Sequence, residues 1–456
     1  MTTVDTAHVR HIARGTPVTG AGRSFGSFVA PALDLDALVW PRTEPGPAFD
    51  VPVAEVMAVL VRLGGWLARD PDGLVEESLR ANLRTNPLPE VVLREAYAGL
   101  GHAFTRPAMT HMIAGEFGGP EVLDGWVAAE SSSGRRVWVR AFPARAVHIL
   151  AGNAPGVATL SLVRGALTKG VNLFKLPSND LFTMTVLLTG LHEVAPGHPV
   201  TRSFSAAYWR GGDESVESVL FRPQFFDKLV AWGGDAALRG AKNYLGPGLE
   251  LVAFDPKTSI SLVGREAFAT EETLAEAAEA AARDIVVMDQ QACAASRFQY
   301  VEGDAGDADR FAAALLPRLG VARRLGSAVG NPVPAHIRDE VEALRDLESY
   351  ARVFGGYEGA GLVVRSEEPV DFHPENKVAN VVPVAGLDEA LARVTVATQS
   401  VGVYPASRKA ALRDRLASAG AARVCTLGEV STVDPGLPHD GFYPMRRLVR
   451  WVTDEG

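Results

Sequence analysis

Ala146 to Asp180 reads AVHILAGNAPGVATLSLVRGALTKGVNLFKLPSND. The apolar run AVHIL breaks at AGNAPG. The stretch VATLSLVRGALTKG follows, with apolar residues at three- and four-residue spacing, the signature of a helix. A second apolar run, VNLFKL, ends at PSND. Strand, loop, helix and strand in this order make a βαβ unit, whose two strands belong side by side in a parallel sheet. Ligands of such sheets bind outside the carboxyl ends of the strands. Chemistry is therefore expected at AGNAPG and PSND.

Towards the C-terminus the alternation continues. Helix LFTMTVLLTGLHEV, strand RSFSAAYW, helix DESVESVLF, strand KLVAW, loop GGD, helix AALRGAKNYL and strand LELVAF complete a first block. Towards the N-terminus, GRRVWVRAFPARAV behind the turn signal SSSG predicts a hairpin near residues 128–142. The spacing from Val51 to Leu123 is helical, as in VAEVMAVLVRLGGWLARD. Residues 1–50 are rich in Gly and Pro and read as an irregular or β-like extension. A second α/β block is expected over 259–435. It holds helix TEETLAEAAEAAARD and helical stretches around Ala312 and Val341. Strands GLVVR, NVVPV, SVGVY and RVCTL follow, with helices DEALARVTVA and RKAALRDRLASAG between them. The last stretch, 436–456, is read as a loop and a short basic, aromatic segment returning to the block 51–258.

Composition narrows the function. The chain has 456 residues, 47% hydrophobic and 22% charged, as in a soluble globular protein. Two cysteines exclude a disulfide framework and suit a reducing, cytoplasmic setting. A net charge of -9 argues against nucleic acid as partner. No apolar window reaches the ~18 residues of a membrane span, and the N-terminus lacks a signal-peptide core. His8, His11, His102 and His111 do not cluster as zinc ligands do, so no metal is expected.

Five groups carry candidate chemistry. Cys293 lies in DIVVMDQQACAASRFQYV, residues 284–301, with small and polar neighbours that leave the sulfur approachable. A thiolate is a strong nucleophile and a good leaving group, which suits acyl transfer. Cys425, in ARVCTLG, reads as core. Asn153, in AGNAPG, offers an amide to a developing oxyanion. Lys175 ends a buried strand, where an ammonium is costly unless it meets an anion or hydroxyls. Gly233 and Gly234 let a pyrophosphate approach the backbone. Ser24, in GRSFG, fits GxSxG, yet no strand leads in and no helix follows, so it reads as a turn. A serine hydrolase is thus the reading from another class.

Taken together, VRAFPARAVHILAGNAP, Lys175, WGGDAALRG and QQAC resemble the aldehyde dehydrogenase superfamily. DIVVMDQQACAAS, ATQSVGVYP with LRDRLASAGAARVCTLG behind it, and GLPHDGFYPMRRLVRWV resemble its acyl-CoA reductase branch, the LuxC family. The likeness covers roughly residues 55 to 456. It implies an aldehyde-dehydrogenase-like α/β fold: a Rossmann-like cofactor domain, an α/β catalytic domain and an oligomerisation hairpin, assembled as a dimer or tetramer. It also implies a mechanism in which Cys293 is acylated by a thioester and Asn153 with the backbone N–H of Cys293 holds the oxyanion. A nicotinamide cofactor then reduces the acyl group to an aldehyde. Gln291 takes the family's glutamine position in the nucleophile loop, and Gln290 stands where a glycine is usual. Glu375, beside Asn376, is the candidate for the nicotinamide ribose.

The chain departs from the hydrolytic members. Their E-L-G-G-K run becomes LELVAFDPK, with Ala253 four residues before Lys257, so no water-activating glutamate is placed there. That suits a reductase, since hydrolysis would waste the acyl-enzyme. Ser178 and Asn179, after Lys175, are neutral and leave room for a 2′-phosphate, provided Asp180 does not turn inward. NADPH is expected over NADH. His439, Arg446 and Arg447 are candidates for holding CoA. The donor is acyl-CoA or an acyl carrier protein, with an acyl-donating partner enzyme as a further expectation. Two other readings keep the fold: an acyl phosphate reductase and a non-catalytic subunit of a reductase complex.

Overall fold

The computed structural model describes residues 6–20 and 22–455. Residues 1–5 and Ala21, part of the expected N-terminal extension, lie outside the described residues. The chain divides into two compact units. One comprises Met1–Pro87, Ala96–Asp255 and Asp434–Gly456; the other comprises Leu88–Glu95 and Pro256–Val433. Each unit is built on one seven-stranded, mostly parallel sheet.

The first unit holds a seven-stranded sheet. Its order is Glu250–Phe254, Lys228–Trp232, Arg145–Ile149, Val171–Lys175, Phe204–Ala207, His11–Ala13, Thr16–Val18. The first five strands are parallel and the N-terminal pair joins antiparallel. Parallel strands covered on both faces read as apolar runs, and AVHIL, VNLFK and KLVAW are buried throughout. The N-terminal stretch is more regular than its composition predicts. Ile12 is fully buried and pairs with Ala206, which draws the segment onto the sheet edge. The hairpin Val127–Glu130 and Arg136–Pro143 forms as expected, with Gly134 left-handed in the turn (φ 76°). The terminal segment, expected only as a basic, aromatic stretch, is a strand, Val449–Asp454, paired antiparallel to Arg136–Pro143. Trp451 packs on Phe117, with ring centroids 6.0 Å apart.

The second unit holds a sheet of order Ala351–Gly355, Leu362–Ser366, Val378–Val384, Ser296–Glu302, Thr258–Val263, Thr398–Tyr404, Arg423–Thr426. All neighbours are parallel except the first pair. Ala351–Gly355 and the interior strand Thr258–Val263 are absent from the sequence reading. The latter carries Ser259 and Ser261, both fully buried, which mask its apolar character. Their hydroxyls are satisfied by Cys293 O and by Ser296 Oγ. The helix expected over DEALARVTVA is shorter than predicted. It spans Leu387–Ala390, tightens over Leu391–Arg393, and becomes extended at Val394, where β-branched residues begin. Among the described residues no helix is long and apolar enough to cross a membrane.

Candidate active site

In the first unit, register aligns the carboxyl ends of the strands. Ile149 pairs with Lys175 and with Ala231, and Lys175 pairs with Ala207. The loops after these strands therefore share one edge. Chain order reverses between Arg145–Ile149 and Lys228–Trp232, and a crevice forms at such a switch point. Asn153 and Gly233 lie on the two loops that flank it. Helix Pro155–Leu167 starts there with proline in its first turn and no side-chain cap. The loop is fixed from below. Asn86 Nδ2 donates to Gly152 O at 2.9 Å, and a Cβ on Gly152 would lie 1.9 Å from Asn179 Oδ1. Asn179 is thus a wedge under the Asn153 loop, a packing role its sequence position did not reveal.

Lys175 is 9% exposed. Its Nζ lies 5.7 Å from the centre of the Trp209 ring and makes no hydrogen bond among the described residues. Burial pushes its pKa down, and the nearby Glu217 carboxylate pulls it back up. Glu217 itself accepts from Trp209 Nε1 and Gly212 N. A buried ammonium in this state calls for an anion or hydroxyls. Ser178 is exposed beside it, and Gly234 has open space where a Cβ would stand. Arg210, exposed on the loop after Phe204–Ala207, is a further cation on this edge that sequence reasoning passed over. Asp180 faces another way: it accepts from Asn82 Nδ2 and Thr183 N, and burial lifts its carboxyl to about 6. The following helix begins only at Thr183, so its first turn meets Asp180 and is not the open anion site expected at PSND.

The C-terminal candidates are built into the fold. His439 stands edge-on to the stacked rings of Trp232 and Phe254, 5.5 and 5.4 Å away. Arg446 donates to Glu116 O and lies over Tyr443, and Arg447 pairs with Glu250. Both guanidiniums thus have partners within the fold that anchor the C-terminal segment. Glu250 begins its strand, pairing with Lys228, at the opposite end from Phe254. Ser24 ends a three-residue strand, Gly22–Ser24, in a hairpin with Phe28–Pro31. No helix follows it, so a nucleophile elbow is ruled out.

In the second unit, helix Glu271–Ile285 leads into the cysteine loop. Met288, Asp289 and Gln290 are all left-handed, with φ of 53°, 48° and 66°. Each such residue costs of order 1 kcal/mol or more and persists only when its surroundings hold it. Asp289 accepts from Ser327 N and Oγ at 2.8 and 2.5 Å, and Lys377 Nζ lies 4.0 Å away. Met288 N donates to Leu325 O. Gln290 Nε2 donates to Val378 O and Ser296 O, and its Oε1 accepts from Val378 N. This explains glutamine at a left-handed position that suits glycine: its side chain fastens the loop to the neighbouring strand.

Cys293 is exposed at the end of this turn. Its Sγ accepts from Gln399 Nε2 at 3.1 Å, and its carbonyl accepts from Ser259 Oγ at 2.9 Å. Gln291 Nε2 donates to Asn376 Oδ1. Arg297 is 6% exposed and donates through Nη2 to Gln290 O at 2.8 Å. Burial pushes its guanidinium down to about 10, while Glu375 and Cys293 favour its charged form. Cys293, Gln291 and Glu375 are therefore brought together, with Gln399 and Arg297 as members the sequence reading missed. An arginine near the start of the strand-like run SRFQYV was the available signal. Cys425 is buried, and burial pushes its thiol up to about 11.

Asp284, one turn before the loop, is fully buried and accepts from Gly428 N and Val430 N. Burial raises its carboxyl from 3.8 to about 7. The folded state thus binds a proton that the unfolded state releases, and stability is lost as pH rises from about 4 to 7. Asp284→Asn removes this dependence. Relative to the parent, the variant is expected to gain roughly 1–3 kcal/mol between pH 4.5 and pH 8. Denaturant melts at the two pH values check this; an unchanged difference would contradict it.

A family model described as acyl-CoA reductase (LuxC) matches residues 53–451. The long-chain acyl-protein thioester reductase of Photorhabdus luminescens is 30% identical over 355 residues, covering 75% of this chain and 70% of that protein. That of Vibrio harveyi is 28% identical over 355 residues, covering 77% and 72%. Among solved structures, lactaldehyde dehydrogenase from Escherichia coli superposes with a TM-score of 0.72 at 14% identity, covering 98% of this chain and 99% of that one. The NADP-dependent glyceraldehyde-3-phosphate dehydrogenase from Bacillus halodurans C-125, complexed with NADP, gives 0.70 at 13% identity, covering 98% and 100%.

Proposed function

The chain belongs to the acyl-CoA reductase (LuxC) family, an oxidoreductase acting on acyl or aldehyde groups, and from that premise we propose that it reduces a long-chain acyl thioester to the aldehyde with NADPH through an acyl-cysteine at Cys293. One observation carries this reading: an exposed sulfur, on a loop fastened at several points, accepts a hydrogen bond from an amide. The sulfur attacks the thioester carbon; the new C–S bond forms as the carrier thiolate leaves. We assign Asn153 and the Cys293 backbone N–H the oxyanion role that the resemblance implies. A bound nicotinamide cofactor supplies the hydride that reduces the acyl group. The relatives' names specify a long-chain acyl group on a protein, so both an acylated protein and acyl-CoA are donors to test. No water-activating carboxylate is expected at Ala253, which favours reduction over hydrolysis of the acyl-enzyme.

Lys175 and the glycines Gly233 and Gly234 fit a dinucleotide. With Asp180 turned towards Asn82 and Ser178 neutral, the Lys175 ammonium is free to meet a 2′-phosphate. Lys175→Met is expected to raise the KM for NADPH by about tenfold or more, and that for NADH less, since a charge-assisted contact is lost. Equal effects on the two cofactors would remove the phosphate assignment. The function itself is tested by following NADPH oxidation and aldehyde release across acyl-CoA chain lengths and one acylated carrier protein. Aldehyde from a long-chain donor is the expected result. Turnover with acyl phosphates alone would overturn the reading.

A further inference from the structure

We propose that Gln399 and Arg297 hold the Cys293 sulfur as the thiolate, Gln399 as a catalytic donor to sulfur and Arg297 as a positioning residue that supplies positive charge beside it; this rests on the reading of Cys293 as the acyl acceptor.

The geometry supports a designed contact. Gln399, 6% exposed, is the second residue of the strand Thr398–Tyr404, and its Nε2 lies 3.1 Å from Sγ. The donor thus comes from the interior, while the exposed face of the sulfur stays open to substrate. Two segments meet here, and Ser259 ties them together. Its hydroxyl donates to Cys293 O at 2.9 Å and accepts from Ser400 N at 3.2 Å, one residue from Gln399. Arg297 follows Cys293 on the strand Ser296–Glu302. Its Nη1 donates to Pro374 O, its Nη2 to Gln290 O, and its Nε finds no hydrogen-bond partner among the described residues. The guanidinium is therefore fixed, buried and only partly neutralised.

An N–H donor stabilises S⁻ more than S–H, and a cation does the same through space. The strand carrying Gln399 brings a neutral amide to the sulfur. The loop before Val378–Val384 brings Glu375, whose charge opposes the thiolate and is met by Arg297, and the exposed His373. Gln291, on the cysteine loop itself, is neutral and bonded to Asn376. A resting thiolate attacks the thioester without passing a proton to a base; the departing carrier thiolate takes its proton from solvent.

The test is the pH profile of Cys293 alkylation by iodoacetamide, read by peptide mass spectrometry, with buried Cys425 as internal reference. Gln399→Leu removes the donor, and Gln399→Glu replaces it with a carboxylate. The midpoint is expected to rise by about one pH unit in the first, roughly tenfold slower alkylation on the acid side, and further in the second. Thermal unfolding is followed in parallel. Should Gln399→Leu unfold early, Gln399→Glu, of nearly native size, decides. A midpoint unmoved in the folded variants overturns the proposal, even if Cys293 is still acylated by acyl-CoA. A moved midpoint without acylation supports it and overturns the acyl-enzyme reading alone.

Discussion

Cys293→Ala is expected to abolish thioester reduction, lowering turnover by roughly 10⁴-fold or more. In the proposed mechanism the sulfur forms the covalent intermediate, and Cys425 cannot take its place: it is buried in the strand Arg423–Thr426, with its thiol pushed up to about 11. Alanine leaves the loop fastenings untouched, because Gln290, Asp289 and Ser259 act through their own side chains. The variant should therefore melt as the parent does and still bind NADPH, which fluorescence titration checks. Persistent aldehyde formation would mean that the thioester is reduced without an acyl-enzyme.

Asp289→Ala is expected to destabilise the second unit by about 3–5 kcal/mol, the usual consequence of removing one partner of a buried charge pair. Lys377 is fully buried, and its ammonium has Asp289 at 4.0 Å and Ser327 O as partners. Burial already pushes its pKa down, and the Asp289 carboxylate holds it up. The same carboxylate takes both donors of Ser327, so its loss also frees the left-handed turn Met288–Gln290 that positions Cys293. Activity should fall with stability. Asp289→Ala with Lys377→Met removes the stranded cation and should recover about half of the lost stability in denaturant melts. No recovery would place the cost in the turn alone.

Much of this was readable in the sequence because it follows from periodicity. AVHIL, VNLFK and KLVAW are buried on both faces, so apolar runs give the parallel strands and their ends give the loops. Thr258–Val263 escaped because its buried serines imitate a polar edge, and their partners, Cys293 O and Ser296 Oγ, lie over 30 positions away. Asp180 and Asn179 show the same limit. By position Asn179 looks like a cofactor contact and Asp180 like an obstacle to a 2′-phosphate, yet Asp180 is drawn to Asn82 and Asn179 wedges under Gly152. Spacing placed Cys293 on a loop, but it could not show that Gln290 adopts a positive φ or that Gln399, 106 residues on, reaches the sulfur.

The most direct measurement is the intact mass of the protein after incubation with a long-chain acyl-CoA in the absence of NADPH, followed by peptide mapping. The account predicts a gain of one acyl group on Cys293 and its loss, as aldehyde, on adding NADPH. An unmodified Cys293 in protein that nonetheless forms aldehyde when NADPH is added would contradict it.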